Sequence, residues 1–285
     1  MQESILIGKM ILTVDDEPDV LEVLKEQIME YRLEAGLAFN AGTWPLDPRK
    51  STLVFIHGSG GSNLLWDNQM KALTERANLL ALDLPGHGRS PGSGSTSVAD
   101  YTRAVRDFLI ELKVPGPIPS GLSLGGAITL QLLLDYPETF SAGVLICTGA
   151  RLKVMPLIFE SIEKDFPSFV ASSKQFAVSP KTDPALIQPV LEDNLQCPPA
   201  VAFGDFQACD RFDVRERLLE IKAKVLVVTG EDDLLTPPKY GKYLAEHIPG
   251  AHWVTIPDAG HLAPIEKPEE VNRAITAFLD RMEKK

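Results

Sequence analysis

Gly121-Leu122-Ser123-Leu124-Gly125-Gly126 runs straight into Ala127-Ile128-Thr129-Leu130-Gln131-Leu132-Leu133-Leu134. The first part spells G-x-S-x-G where a strand is expected to hand over to a helix, the pattern of a nucleophile elbow. The glycines answer a steric demand, because so tight a turn leaves no room for a side chain two positions either side of the serine. The serine is left at a helix N-terminus, where backbone N–H groups and the helix dipole favour developing negative charge. Alone, such a string is short enough to be a structural turn, so its meaning depends on what surrounds it.

From about residue 50 the chain alternates short apolar runs with helical stretches. Leu53-Val54-Phe55-Ile56, Leu79-Leu80-Ala81-Leu82, Val144-Leu145-Ile146, Val225-Leu226-Val227-Val228 and Trp253-Val254-Thr255-Ile256 read as buried parallel strands. Continuous apolarity, rather than alternation, is expected where helices cover both faces of a sheet. The intervening segments are long enough for helical crossovers, and the last carries Val271, Ile275, Phe278 and Leu279 at helical spacing after Pro268. The pattern predicts an α/β, doubly wound layout. The run into the elbow is irregular: Pro117-Ile118-Pro119-Ser120 carries two residues without an N–H. A strand there must be short, or those positions must face away from a ladder partner.

The alternation breaks between about Arg151 and Arg217. Seven of the twelve Phe (159, 166, 169, 176, 203, 206 and 212) fall there with several Pro and no clear strand. The stretch is expected to be a small helical insertion over one edge of the sheet, with most of its Phe buried as packing and a few lining a pocket.

Three further places carry chemistry. His57-Gly58-Ser59-Gly60-Gly61 follows the 53–56 run directly, and its small residues let a backbone N–H approach an oxyanion. The second N–H would come from Leu124, after the serine. His57 itself is expected to be a structural hydrogen-bonding residue, since it sits at a strand end rather than beyond the elbow. Gly230-Glu231-Asp232-Asp233 follows the 225–228 run, so three acids compete to orient a histidine from the end of a central strand. Asp258-Ala259-Gly260-His261 follows the 253–256 run; of five histidines, His261 alone comes after a strand that follows both the serine and the acid. Ser…Asp…His is the chain order expected for this layout.

With these pieces in place, the chain from about Arg32 to its end resembles the α/β-hydrolase superfamily. The likeness is carried by HGSGG (57–61), DLPGHGRS (83–90), GLSLGG (121–126), GEDDLLTPP (230–238) and GHLAPIEKPEEVNRAITAFL (260–279). It implies a mostly parallel central sheet flanked by helices, with a small helical lid inserted late in the sheet. By that likeness the acid is Asp233, with Asp232 the fallback, the catalytic set is Ser123, Asp233 and His261, and the oxyanion donors are the N–H groups of Ser59 and Leu124. The implied reaction is acyl transfer from a carboxylic ester, thioester or lactone through Ser123. A carbon–carbon bond hydrolase or lyase on the same scaffold is the alternative, and a non-catalytic ligand receptor or signalling module is the alternative of another class. No metal or organic cofactor is implied. A serine at the elbow argues against the aspartate-using haloalkane dehalogenases and epoxide hydrolases, and against the cysteine-using dienelactone hydrolases.

The N-terminus departs from this pattern. Lys9 to Lys25, KMILTVDDEPDVLEVLK, resembles the opening strand and helix of a response-regulator receiver domain, in which Asp15 and Asp16 would help bind Mg²⁺. The later receiver parts are missing, and a metal needs its full ligand set, so an accessory strand and helix is the expectation. The resulting divisions are an extension (1–26), a first part of the core (27–150), the lid (151–216) and a second part of the core (217–285).

Bulk properties narrow the partners. The 285 residues are 44% hydrophobic and carry a formal charge of −11, with Lys and Arg scattered rather than clustered, which disfavours nucleic acid. No apolar run approaches the roughly 20 residues of a membrane helix. The N-terminus has acids directly after a short apolar run and no small-residue cleavage site, which disfavours a signal peptide. Cys147, Cys197 and Cys209 are odd in number without a CxxC pair, and fit reduced thiols in a cytoplasmic protein. The expected partner is a small-molecule substrate with an apolar acyl group; self-association into a homo-oligomer is compatible with the sequence.

Overall fold

The computed structural model describes residues 4–7, 10–13 and 30–283. Strands β1 (Ser4–Ile7) and β2 (Met10–Thr13) pair as an antiparallel hairpin. Asp15 and Asp16 of the receiver-like stretch lie outside the described residues.

Strands β3 (Glu30–Glu34), β4 (Leu37–Ala41), β5 (Thr52–Ile56), β6 (Asn78–Leu82), β7 (Pro117–Leu122), β8 (Ala142–Ile146), β9 (Lys224–Gly230) and β10 (His252–Ile256) make one eight-stranded sheet. Its order is β10-β9-β8-β7-β5-β6-β4-β3, parallel from β10 to β6 and antiparallel where β4 and β3 join. All five apolar runs fall in these strands. Their continuity has the expected cause: Leu53 and Phe55 pack in one core cluster, and Val54 and Ile56 in the other, on the opposite face. One face is covered by α2 (Val98–Glu111), α3 (Leu124–Asp135) and α8 (Pro238–His247), the other by α1 (Asp67–Ala72) and α10 (Pro268–Glu283). Val271, Ile275, Phe278 and Leu279 are the buried stripe of α10.

The two prolines before the elbow sit in a six-residue central strand. Ser123 N–H donates to Ile146 O at 3.0 Å, so odd-numbered positions of this strand point their N–H groups towards β8. The pairing with β8 begins only at Ser120, opposite Val144. Pro117 and Pro119 therefore lack an N–H only on the side facing β8, ahead of the first residue paired with it, and the strand keeps its full register with β5.

Between β8 and β9 the chain inserts α4 (Pro156–Lys164), α5 (Phe166–Ser173), α6 (Pro184–Asn194) and α7 (Pro199–Arg211). Each has a proline in its first two positions. A missing N–H costs nothing there, so these prolines start helices rather than break them. The short α9 (Ala263–Glu266) precedes α10. Chain order reverses direction at β5, which puts a topological switch point between β5 and β7; ligands of open α/β sheets bind outside the strand ends at such a point.

Candidate active site

Ser123 occupies that crevice because its backbone is bent out of the ordinary range. It has φ 55° and ψ −113°, between the end of β7 at Leu122 and the start of α3 at Leu124. A non-glycine residue there stores on the order of 1–3 kcal/mol of strain. Close packing holds it: Ser123 O accepts from Ala127 N–H at 3.0 Å and from the Thr148 hydroxyl at 2.8 Å. A Cβ on Gly121 would lie 2.0 Å from the Gly125 carbonyl carbon, and one on Gly125 would lie 2.2 Å from Ile56 O. Both flanking glycines are thus fixed by sterics. Leu124 opens the helix, so its N–H has no acceptor within the helix and faces outward from the N-terminus.

The loop after β5 turns on the opposite side of the crevice. Gly61 N–H donates to Gly58 O at 3.2 Å, with Gly60 at φ +68°, a value that glycine alone adopts without strain. His57 is fully buried, with Nε2 accepting from Leu84 N–H at 3.0 Å and Nδ1 2.7 Å from Gly58 O. It is therefore a structural residue with its proton on Nδ1. Burial, and then the nearby His87 charge, push it down to about 4, which keeps the ring neutral.

His261 and Asp233 meet beyond β10 and β9. His261 Nδ1 is 2.9 Å from Asp233 Oδ2, and both side chains are nearly inaccessible. The carboxylate also accepts the Thr236 hydroxyl at 2.7 Å and the Leu235 and Thr236 N–H groups at 2.8 and 2.9 Å. Burial alone would raise this acid, but the His261 charge and these hydrogen bonds outweigh it and hold Asp233 down to about 2. Asp232 turns away and accepts the Ser179 hydroxyl at 2.6 Å. The His261 backbone is anchored as well: its N–H donates to Ala177 O at 2.9 Å, and Gly260 N–H reaches the buried Glu266 carboxylate at 3.0 Å. Glu266 also accepts Ser179 N–H at 2.8 Å and the Thr182 hydroxyl at 2.6 Å, tying the loop between α5 and α6 to the histidine.

Ser59, Ser123 and His261 line one cavity of about 380 Å³. Its walls are mainly apolar and come largely from the insertion. Phe166, Phe169, Phe176 and Phe206 line it, whereas Phe212 packs into the core and Phe159 meets Phe203 edge-on with ring centroids 5.2 Å apart. The exposed side chains of Met155 and Leu234 border the cavity where it opens. Among the described residues, one cluster of metal-ligating atoms lies within 4.8 Å: those of Cys147, Asp233 and His261. The histidine and the acid already satisfy each other, and burial pushes the Cys147 thiol up, away from the thiolate that binds metals. All three cysteines are free and buried. Among the described residues no helix is long and apolar enough to cross a membrane.

Thr236, Glu266 and Asp205 were not singled out from the sequence. Thr236 had a signal, since it lies in the same turn as Asp233; Glu266 and Asp205 reach their loops only through tertiary packing.

The geometry has counterparts. Residues 53–274 match the alpha/beta hydrolase family. The pimeloyl-(acyl-carrier protein) methyl ester esterase of Nitrosomonas europaea is 27% identical over 76% of this chain and 91% of its own length. An uncharacterized hydrolase of Bacillus subtilis, YugF, is 30% identical over 82% of this chain and 91% of its own. The solved structure of a thermophilic esterase superposes with a TM-score of 0.76 at 32% identity, covering 90% of this chain and 98% of that one. With its sheet order, its strained serine and a family match across most of its length, the chain belongs to the alpha/beta hydrolase family.

Proposed function

We propose that this protein hydrolyses a carboxylic ester, or a related thioester or lactone, through an acyl-enzyme on Ser123. As a member of this family the chain is an enzyme of the carboxylic ester hydrolase type. The observation that carries the finer reading is the 2.9 Å contact between His261 Nδ1 and Asp233, with His261 and Ser123 lining the same cavity. With Nδ1 committed to the acid, Nε2 of His261 is left to take the Ser123 proton as Oγ attacks the substrate carbonyl. The Ser59 and Leu124 N–H groups stabilise the tetrahedral oxyanion. His261 then gives the proton to the departing alcohol, thiol or ring oxygen, and a water activated by the same nitrogen releases the acid.

The four inserted helices act as the lid that shapes the acyl pocket. Its four phenylalanines fit an apolar acyl group, and a cavity of about 380 Å³ suits a small to medium one. Fluorophosphonate labelling of wild type against Ser123→Ala tests the reading. Labelling confined to wild type, with ester turnover lost in the variant, supports it. A folded wild type that neither labels nor turns over esters turns attention to the receptor alternative.

A further inference from the structure

Asp205, in the inserted helix α7, is fully buried and accepts three hydrogen bonds from three different parts of the core. Its Oδ2 receives Gly60 N–H at 2.8 Å and His87 Nε2 at 2.8 Å, and its Oδ1 receives the Tyr101 hydroxyl at 2.5 Å. Burying a carboxylate is costly even when its partners are good. None of these donors belongs to α7 itself, so the arrangement serves the loops it holds.

Gly60 is the third residue of the turn closed by Gly61 N–H and Gly58 O. In such a turn the middle peptide, between Ser59 and Gly60, is the one that can flip. Rotation about Ser59 ψ and Gly60 φ reorients that peptide and slackens the turn around it, and glycine puts no side chain in the way. Gly60 N–H belongs to that middle peptide. The preceding peptide carries Ser59 N–H, and its carbonyl, Gly58 O, is held by the proton on His57 Nδ1 at 2.7 Å. Both peptides around Ser59 are thus tethered, one by His57 from the core and one by Asp205 from the insertion.

We propose that Asp205 is a positioning residue for acyl transfer: by holding Gly60 N–H it fixes the turn that presents Ser59 N–H to the substrate carbonyl oxygen. This rests on the serine-hydrolase reading above. Donors fixed before reaction stabilise an oxyanion without reorganising, so a loosened turn weakens the transition state more than the bound substrate. The loss should fall on kcat rather than KM.

The test compares wild type, Asp205→Leu and Asp205→Asn on p-nitrophenyl butyrate and on its thionoester, with C=S in place of C=O. Sulfur is larger and a weaker acceptor, so well-placed N–H donors favour the oxygen ester, and a slack turn narrows that preference. Asp205→Leu is expected to lower kcat on the ester roughly tenfold to hundredfold, with KM little changed and the ester preference cut about tenfold. Asp205→Asn, whose amide oxygen still accepts from Gly60, recovers most of both losses. If the leucine variant does not fold, Asp205→Ser takes its place with the same expectation, because the shorter hydroxyl falls short of Gly60. A folded variant with wild-type kcat, a fall in kcat with the ester preference intact, or an asparagine variant as impaired as leucine overturns the proposal. Ester turnover by wild type stands for the parent reading and the variants' ratios for Asp205, so the two fail separately.

Discussion

His261 Nδ1 lies 2.9 Å from Asp233 Oδ2, while the preceding acid, Asp232, points the other way and accepts the Ser179 hydroxyl at 2.6 Å. Two adjacent carboxylates are thereby given different tasks by the turn after β9. Asp233→Asn should lower kcat by about 10³- to 10⁴-fold, because an amide no longer favours the Nδ1–H tautomer. Asp232→Asn should leave kcat within a few-fold. Steady-state kinetics on one ester decide it; equal losses in the two variants would undo the assignment of Asp233.

The buried pair of His87 and Asp205 predicts a pH signature in stability. His87 has an acceptor at each ring nitrogen, Pro85 O at 3.1 Å and Asp205 at 2.8 Å. Burial on its own would lower its pKa, but the Asp205 charge and hydrogen bond prevail and push it up to about 10. A base raised in the folded state contributes stability that is complete below its unfolded pKa of about 6.5 and fades as pH climbs through about 10. Denaturation midpoints of wild type and His87→Gln, followed across that window, should therefore converge. A constant gap would contradict a charged His87.

Gly121→Ala should cost on the order of 3 kcal/mol or more, the upper end of what overpacking usually costs, because the new Cβ meets backbone rather than a movable side chain. The contact would be 2.0 Å, with the Gly125 carbonyl carbon. Urea denaturation measures it. An alanine variant with the wild-type midpoint would mean that the elbow packs differently.

Phe169→Ala should move the acyl preference to longer chains. Phe169 packs edge-on against Phe206 at 5.7 Å, and both line the cavity. Removing the ring opens room for roughly two to four methylenes, each worth about 0.8 kcal/mol when buried. A p-nitrophenyl ester series of increasing chain length reads the shift, and an unchanged optimum would place the acyl group elsewhere.

Much of this fold was legible because parallel strands covered on both faces leave continuous apolar runs, and all five such runs became strands. The strand before the elbow was harder to read. Pro117 and Pro119 forbid an ordinary ladder, and only the register, with pairing to β8 starting at Ser120, shows why they are tolerated. Ser123 and His261 could be read from their places after strands, and three acids stayed open at 231–233 until the likeness favoured Asp233. Asp205 left no local signal: it sits in a largely buried insertion helix, and its partners Gly60, His87 and Tyr101 lie more than 100 residues away. Glu266 was concealed in a different way, since an acid just before a helix reads as solvated surface, whereas here it is buried against Gly260 and Ser179.

The insertion and the core exchange buried carboxylates in both directions, Asp205 reaching into the loop after β5 and Glu266 reaching out to Ser179 and Thr182. A graft that replaced residues 151–216 with the corresponding segment of a relative would therefore change more than substrate preference. It would remove one anchor of the oxyanion turn and strand the acid that steadies His261. On the proposed reading selectivity and catalytic rate are inherited as one module, and a chimera that is to preserve the second is expected to need Asp205, Ser179 and Thr182 along with the new pocket.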